Sequence, residues 1–72
     1  MILVEVFDRE DGILEYRRIA TSYMDADAWI QDFFGRRPNT TILPSDGRNG
    51  VDGYITNSKY NLYYTYTNIS LV

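Results

Sequence analysis

Alternating apolar and polar side chains at the start of the chain predict a β-strand over residues 2–7. Its two faces are Ile2, Val4 and Val6 on one side and Leu3, Glu5 and Phe7 on the other. Because one face is wholly apolar and the other is mixed, this strand is expected to be central in a sheet. Asp11-Gly12 suits a tight turn, and residues 13–20 return as a second strand. Charged side chains on both of its faces favour an edge position.

Residues 22–34 show the period of an amphipathic helix, and they are the only stretch that does so. The apolar side, expected to lie on the sheet, consists of Tyr23, Ala26, Ile30, Phe33 and Phe34, with Trp29 at its edge. The opposite side consists of Asp25, Gln31 and Asp32, with Asp27 towards the boundary. Ser22 supplies a hydroxyl for the N-cap, and Gly35 followed by Pro38 ends the helix.

The second half of the chain predicts two or three further strands. Residues 39–43 are a short β-prone run, residues 44–53 form a glycine-containing loop, and strands follow near residues 54–56 and over residues 60–67. The last strand is expected to place Leu62, Tyr64 and Tyr66 under the helix. Beyond it, the opposite parity of Ile69 and Leu71 predicts a bulge or a change of partner near Asn68.

This order of elements predicts one α+β domain over residues 1–72. A single helix is expected to pack on a four- or five-stranded, mainly antiparallel sheet in the order β-β-α-β-β(-β). The apolar start of the chain stops at Asp8 and is too short for a signal peptide or a membrane span. The protein is therefore predicted to be cytoplasmic, without membrane association.

Composition removes several classes of function. Cysteine and histidine are both absent, which excludes disulfides, thiolate or imidazole metal ligands, and catalysis by either residue type. A net charge of −3 and a pI of about 4.6 argue against direct binding to nucleic acid phosphates. The acids are concentrated in residues 1–34, which carry eight acidic and three basic side chains. The first half is therefore expected to present an acidic surface.

Carboxylates are the remaining candidates for acid–base chemistry, and Asp8, Glu10 and Asp11 lie close together in sequence. A catalytic pair needs one carboxylate in a dry pocket, whereas a hairpin turn is usually solvated, so a hydrolase is disfavoured. Arg36 and Arg37 have the chemistry to contact phosphate or an acidic partner, but the helix dipole alone accounts for two cations at this place. The chain is predicted to be no enzyme.

The loop over residues 44–53 does not match a known ion or nucleotide site. Asp46, Asn49 and Asp52 are spaced by three residues, unlike the alternating ligands of a calcium loop. The glycines of this loop lack the Gly-Lys-Ser/Thr ending of a phosphate-binding loop, and no helical pattern follows them. No cofactor and no metal are predicted.

Two surfaces are candidates for binding another protein. Asp25 and Asp32 lie on one side of the helix about 10 Å apart, and with the hairpin turn they could oppose a basic, nucleic-acid-binding groove of a partner. Tyr63, beside small polar residues, has a composition frequent at interfaces, although cross-strand pairing on a solvated sheet explains it equally well. The predicted partner-binding residues are Asp8, Glu10, Asp11, Asp25, Asp27, Gln31, Asp32 and Tyr63.

In size, acidity and patterning the chain resembles the small proteins without cysteine and histidine that bacteriophages encode to disable host factors, anti-CRISPR proteins among them. The resemblance implies an inhibitor that binds a host defence or nucleic-acid-handling protein. The alternative is a small homo-oligomeric structural or accessory subunit, such as a homodimer, that associates through its tyrosine-rich strand, because so small a core gains from association.

Overall fold

In the computed structural model, which describes residues 1–70, one α-helix lies against one face of a five-stranded antiparallel sheet. The elements are β1 (Ile2–Asp8), β2 (Leu14–Ala20), α1 (Tyr23–Phe33), β3 (Thr41–Pro44), β4 (Gly53–Thr56) and β5 (Asn61–Asn68). The strands lie side by side in the order β2-β1-β5-β4-β3. The α+β class is confirmed, as are the central position of β1 and the edge position of β2.

The core lies between the helix and one face of the sheet. Its buried members are Ile2, Val4, Val6, Ala20, Ala26, Ile30, Phe34, Ile55, Leu62 and Tyr64. The alternation of β1 thus has the predicted effect, because Ile2, Val4 and Val6 face the helix and are buried. Burial of each large apolar side chain contributes about 1.5–3 kcal/mol. Within residues 1–70 no helix has the length and apolar character needed to cross a membrane.

The helix begins and ends where the sequence predicts. The Ser22 hydroxyl accepts a hydrogen bond from the backbone N–H of Asp25 at 3.1 Å, which satisfies one free donor of the first turn. Phe34 is the C-cap, and the N–H of Gly35 donates to the carbonyl of Gln31 at 2.9 Å. The helix therefore spans three turns, and it packs against β2 and β1.

The contact line of the helix is narrower than predicted. Ala26, Ile30 and Phe34, each four residues apart, are fully buried. Tyr23 and Phe33 were expected in the core but are 52% and 38% exposed, so this part of the prediction is wrong. Tyr23 stands at the first helical position, at the margin of the sheet. Phe33 lies on the flank of the contact line, where its ring packs on other aromatic rings.

One strand carries an irregularity, and it is not the one predicted. Val6 pairs with Tyr16 but Phe7 pairs with Leu14, so Glu15 is an extra residue in β2. The bulge turns Leu14 to the same sheet face as Phe7. By contrast, β5 pairs with β1 in regular register up to Asn68, so the predicted bulge there is wrong. The parity of Leu71 lies outside the described residues.

Candidate functional site

Two helix aspartates predicted to bind a partner already have contacts within the fold. Asp25 accepts hydrogen bonds from the backbone N–H and the hydroxyl of Thr21, at 3.0 and 3.3 Å. Asp27 accepts the phenol hydrogen of Tyr66 at 2.6 Å. Asp25 therefore stabilises the start of the helix, and Asp27 ties the helix to β5.

The other predicted positions on the helix lie one to two turns further on. Asp32 forms an ion pair with Arg36 at 3.0 Å, the i,i+4 spacing that brings side chains together on a helix surface. Gln31 lies exposed beside it. The pair offsets one of the negative charges on this helix face, and because both side chains are well exposed it contributes little to stability.

The acids of the hairpin turn also organise their own backbone. An Asp8 carboxylate oxygen accepts the N–H of Glu10 at 2.8 Å, and Asp11 accepts the N–H of Ile13 at 2.8 Å. These are the side-chain-to-backbone bonds by which aspartate stabilises turns. Glu10 is exposed and lines a cleft of about 200 Å³ together with Lys59.

The acids at the start of the helix lie far from the acids of the hairpin turn. Ala20, just before the helix, pairs with Ile2, at the opposite end of β1 from Asp8. The seven residues of β1 span about 20 Å, so the helix start and the hairpin turn lie that far apart. Asp27 points to the sheet, where it contacts Tyr66, and Asp32 is exposed near the end of the helix. The turn acids lie at and beyond the end of β1. Among the described residues, no three acidic side chains gather in a cluster suited to a metal ion.

Tyr63 lies on the face of the sheet opposite the helix, as the strand pattern predicts. Its neighbours in the chain, Leu62 and Tyr64, are buried beneath the helix. The Tyr63 ring stacks on that of Phe7, with 5.1 Å between centroids and 19° between planes. Stacked aromatic pairs contribute about 0.5–1.5 kcal/mol beyond the area they bury. Cross-strand stacking therefore accounts for Tyr63, and further aromatic and apolar side chains surround it on this face.

Those surroundings form a continuous row across all five strands. In the strand registers, Leu14 pairs with Phe7, Phe7 with Tyr63, Tyr63 with Tyr54, and Tyr54 with Leu43. Paired residues point to the same face, so these five side chains lie in one line on the face away from the helix. At about 4.8 Å per strand the row is about 19 Å long. We call these five residues the cross-sheet row.

More apolar surface lies on the same face. Leu3 pairs with Ile19, which is 50% exposed, and at the end of the cross-sheet row Leu43 is 51% exposed. A solvated face of an antiparallel sheet normally carries polar side chains. We call this whole face, with the cross-sheet row at its centre, the open sheet face; its other members include Leu3, Glu5, Arg17, Ile19, Thr65 and Thr67.

The charged groups of the open sheet face are mainly basic. Arg9 places its guanidinium carbon 4.5 Å from the centroid of the Tyr54 ring. Arg17 pairs with Glu5 at 2.8 Å across β1 and β2. This face therefore has a different electrostatic character from the helix side, where the aspartates lie. Arginine on tyrosine is a combination that often dominates binding energy at protein interfaces.

Two tyrosines under the helix have perturbed acidity. Burial, with a smaller effect of the Asp27 and Asp52 carboxylates, raises the pKa of Tyr64 to about 12. Burial, followed by the hydrogen bond to Asp27, raises the pKa of Tyr66 well above its usual range. Both phenols are thus held neutral by packing. They stabilise the fold and have the wrong direction of shift for a phenolate nucleophile or base.

Most members of the cross-sheet row were not among the predicted site residues. Of its five residues, only Tyr63 was predicted to bind a partner. Phe7 and Tyr54 were predicted only to lie in strands. The signal for Phe7 was its place on the mixed face of the first strand. Leu14 and Leu43 carried no such signal, because their position in the row depends on the Glu15 bulge and on which strands are neighbours.

Comparison with family models, curated proteins and solved structures finds no match to this chain.

Proposed function

We propose that this chain is a small protein-binding module whose contact surface is the open sheet face. The observation that carries the proposal is the cross-sheet row, an unbroken line of apolar and aromatic side chains over five strands. The helix covers only the other face. Contiguous apolar surface of this kind, bordered by polar side chains, is typical of a protein interaction site.

The size of the face is compatible with a compact interface. The strands contain 30 residues, and at about 4.8 Å by 3.3 Å per residue they give about 480 Å² of flat sheet area. A standard interface buries about 800 Å² per partner, so a contact centred on this face has to extend beyond it, onto an edge strand or the hairpin turn. Tyrosine and arginine at the centre favour affinity above what area alone supplies.

The occupant that fits best is a different protein with an apolar surface and a carboxylate placed to meet Arg9. The face presents Arg9 and Arg17 against the single acid Glu5, while the whole chain carries −3. Two copies of the chain would repel each other at long range, because each has the same net charge. A different protein with acidic groups near its apolar patch is not subject to this repulsion between identical copies.

The homo-oligomer alternative is restricted by the strand order. β5 is hydrogen bonded to β1 on one side and, over Asn61 to Tyr64, to β4 on the other. Association through the tyrosine strand is therefore restricted to packing of two open sheet faces or to pairing along residues 65–68, which β4 does not cover. The acidic helix surface and the inhibitor role implied by the resemblance stay predictions of the sequence.

The test combines partner capture with matched surface variants. Partners are captured from cell lysate with the wild-type chain, purified, and titrated by calorimetry against Leu43→Lys and Tyr63→Lys. Leu43→Lys is the safer variant, since this residue lies on an edge strand and is half exposed. Asp32→Lys on the helix side is the matched control. We expect both sheet variants to weaken binding at least tenfold and the control to leave it unchanged.

Two results would overturn the proposal. Loss of binding in Asp32→Lys with retention in both sheet variants would move the contact to the acidic helix surface. A concentration-dependent dimer in sedimentation equilibrium, dissociated by Leu43→Lys, would show that the face is occupied by a second copy and not by another protein.

A further inference from the structure

A cleft separate from the open sheet face lies between the segment that follows the helix and the turn that joins β4 to β5. Its volume is about 360 Å³, near the lower end for small-molecule sites. The lining residues are Arg37, Pro38, Asn39, Asn57, Ser58, Lys59 and Tyr60. Two of them are cations and none is an acid. The cleft therefore has the polarity of an anion site.

The guanidinium of Arg37 is held in place before any ligand arrives. Its central carbon lies 4.8 Å from the Phe33 ring centroid and 4.9 Å from that of Phe34. One terminal nitrogen donates to the Tyr60 hydroxyl at 3.3 Å. The neighbouring phenols of Tyr60 and Tyr16 raise the pKa of Arg37 above its usual range. Fixing the side chain in advance lowers the entropy lost when a ligand binds.

Arg37 differs in this respect from the adjacent arginine. Arg36 is highly exposed and is paired with Asp32. Within residues 1–70, no carboxylate comes within 4.0 Å of the Arg37 guanidinium. A guanidinium has five N–H donors in a planar fork, and the contact with Tyr60 uses one of them. The Tyr16 phenol lies beside the same guanidinium, and the donors that neither phenol takes are available to a planar or tetrahedral oxyanion.

The second cation is placed by the turn. The side-chain oxygen of Asn57 accepts the backbone N–H of Lys59 at 2.7 Å and that of Tyr60 at 3.0 Å. This fixes the turn while leaving the Lys59 side chain exposed at the rim of the cleft. The acids Asp8 and Glu10 line a neighbouring cleft that also includes Lys59, so they oppose an anion that extends in that direction.

We propose that the Arg37–Lys59 cleft binds the phosphate group of a small phosphate monoester. Two cations match the −1.5 to −2 charge of such a group better than the single charge of a carboxylate. The Tyr60 ring and Pro38 offer apolar contact to the organic part of the ligand. The nearby acids select against anions larger than the cleft.

The experiment is a titration of the isotope-labelled chain followed by NMR, at constant ionic strength with chloride as the balancing anion. The probes are inorganic phosphate, phenyl phosphate and benzoate. We expect saturable shifts of the Ser58, Lys59 and Tyr60 amides and of the Arg37 side-chain N–H. Phenyl phosphate is expected to bind several-fold more tightly than inorganic phosphate, and both more tightly than benzoate.

Matched variants separate a site from general charge attraction. Lys59→Gln is expected to weaken phosphate binding about three- to tenfold with an unchanged fold, since this side chain is exposed. Arg37→Lys keeps the charge but loses the planar fork, and is also expected to weaken binding. Arg36→Gln removes the same charge from the neighbouring position and should leave the Kd within twofold.

Three outcomes would overturn the proposal. Shifts that grow linearly without saturation indicate no site. Equal weakening by Arg36→Gln and Lys59→Gln indicates attraction to overall charge. Benzoate binding as tightly as phenyl phosphate assigns the cleft to carboxylates. None of these results depends on the open sheet face.

Discussion

A glycine in β4 makes room for the largest aromatic side chain of the core. Gly53 pairs directly with Tyr64, and the Tyr64 ring lies over the glycine. A methyl group added at Gly53 would overlap the ring and hydroxyl of Tyr64, with one ring carbon only 2.6 Å away. Tyr64 is buried beneath the helix, with only 3% of its surface exposed. Gly53→Ala is therefore expected to destabilise the fold.

The magnitude follows from two opposing effects. Overpacking of a buried site costs about 1–3 kcal/mol. Replacing glycine removes about 0.5–1 kcal/mol of entropy loss on folding. The net loss is about 0.5–2 kcal/mol, a large part of the roughly 3–5 kcal/mol that a core of this size supplies. With a urea m-value of about 1 kcal/mol/M, the midpoint of unfolding should fall by about 0.5–2 M.

The assay is urea unfolding followed by the fluorescence of Trp29, the single tryptophan of the chain. Gly53→Ala is measured alone and in a Tyr64→Leu background, where the methyl has room. The two changes should be non-additive by more than about 1 kcal/mol. Gly12→Ala is the control: its backbone strain, at φ 72°, should be the same in both backgrounds because nothing lies near the added methyl. An unchanged midpoint in Gly53→Ala, or full additivity with Tyr64→Leu, would refute the explanation.

Three further predictions concern the helix and the tyrosines beneath it. Ser22→Ala removes the N-cap acceptor and should cost about 1 kcal/mol in urea unfolding; a loss below about 0.3 kcal/mol would show that water replaces the cap. Stability should fall between about pH 10 and 12, because the Tyr64 phenol ionises near pH 10 in the unfolded chain but near pH 12 in the folded one. Tyr64→Phe should remove about 2–3 kcal/mol of this change, and an equal alkaline loss in that variant would contradict the assignment. Asp27→Asn weakens the bond from the Tyr66 hydroxyl and should lower the pKa of Tyr66 in a tyrosinate absorbance titration; an unchanged Tyr66 titration would mean that burial alone sets it.

Each helix and strand of this fold is a short stretch of the chain, and the sequence pattern within that stretch predicted it well. The two-residue period of β1 identifies its buried face, and the cap residues around the helix set its limits to within one residue. Leu62 and Tyr64 were placed beneath the helix by their parity alone, and both are buried. In each case the relevant physics lies within a few residues of the chain.

The cross-sheet row was beyond such reasoning because it depends on distant pairings. Parity tells which residues of a strand share a face, but Phe7, Tyr63 and Leu43 come together only once β1, β5, β4 and β3 are known to be neighbours in that order. Leu14 joins them because of the Glu15 bulge, which reverses the parity of β2 at one end. The helix aspartates were predicted to bind a partner, but they already have contacts within the fold, with Thr21, Tyr66 and Arg36. A charge pattern alone does not identify these contacts.

The open sheet face as a binding surface is tested most directly by NMR cross-saturation in the complex with a captured partner. Saturation of partner protons reaches only the methyl groups in contact with it. The methyls of Leu14 and Leu43, at the two ends of the cross-sheet row, should lose intensity. Met24, which is 82% exposed on the helix side, should not. Transfer to Met24 with none to Leu14 or Leu43 would contradict the proposed surface.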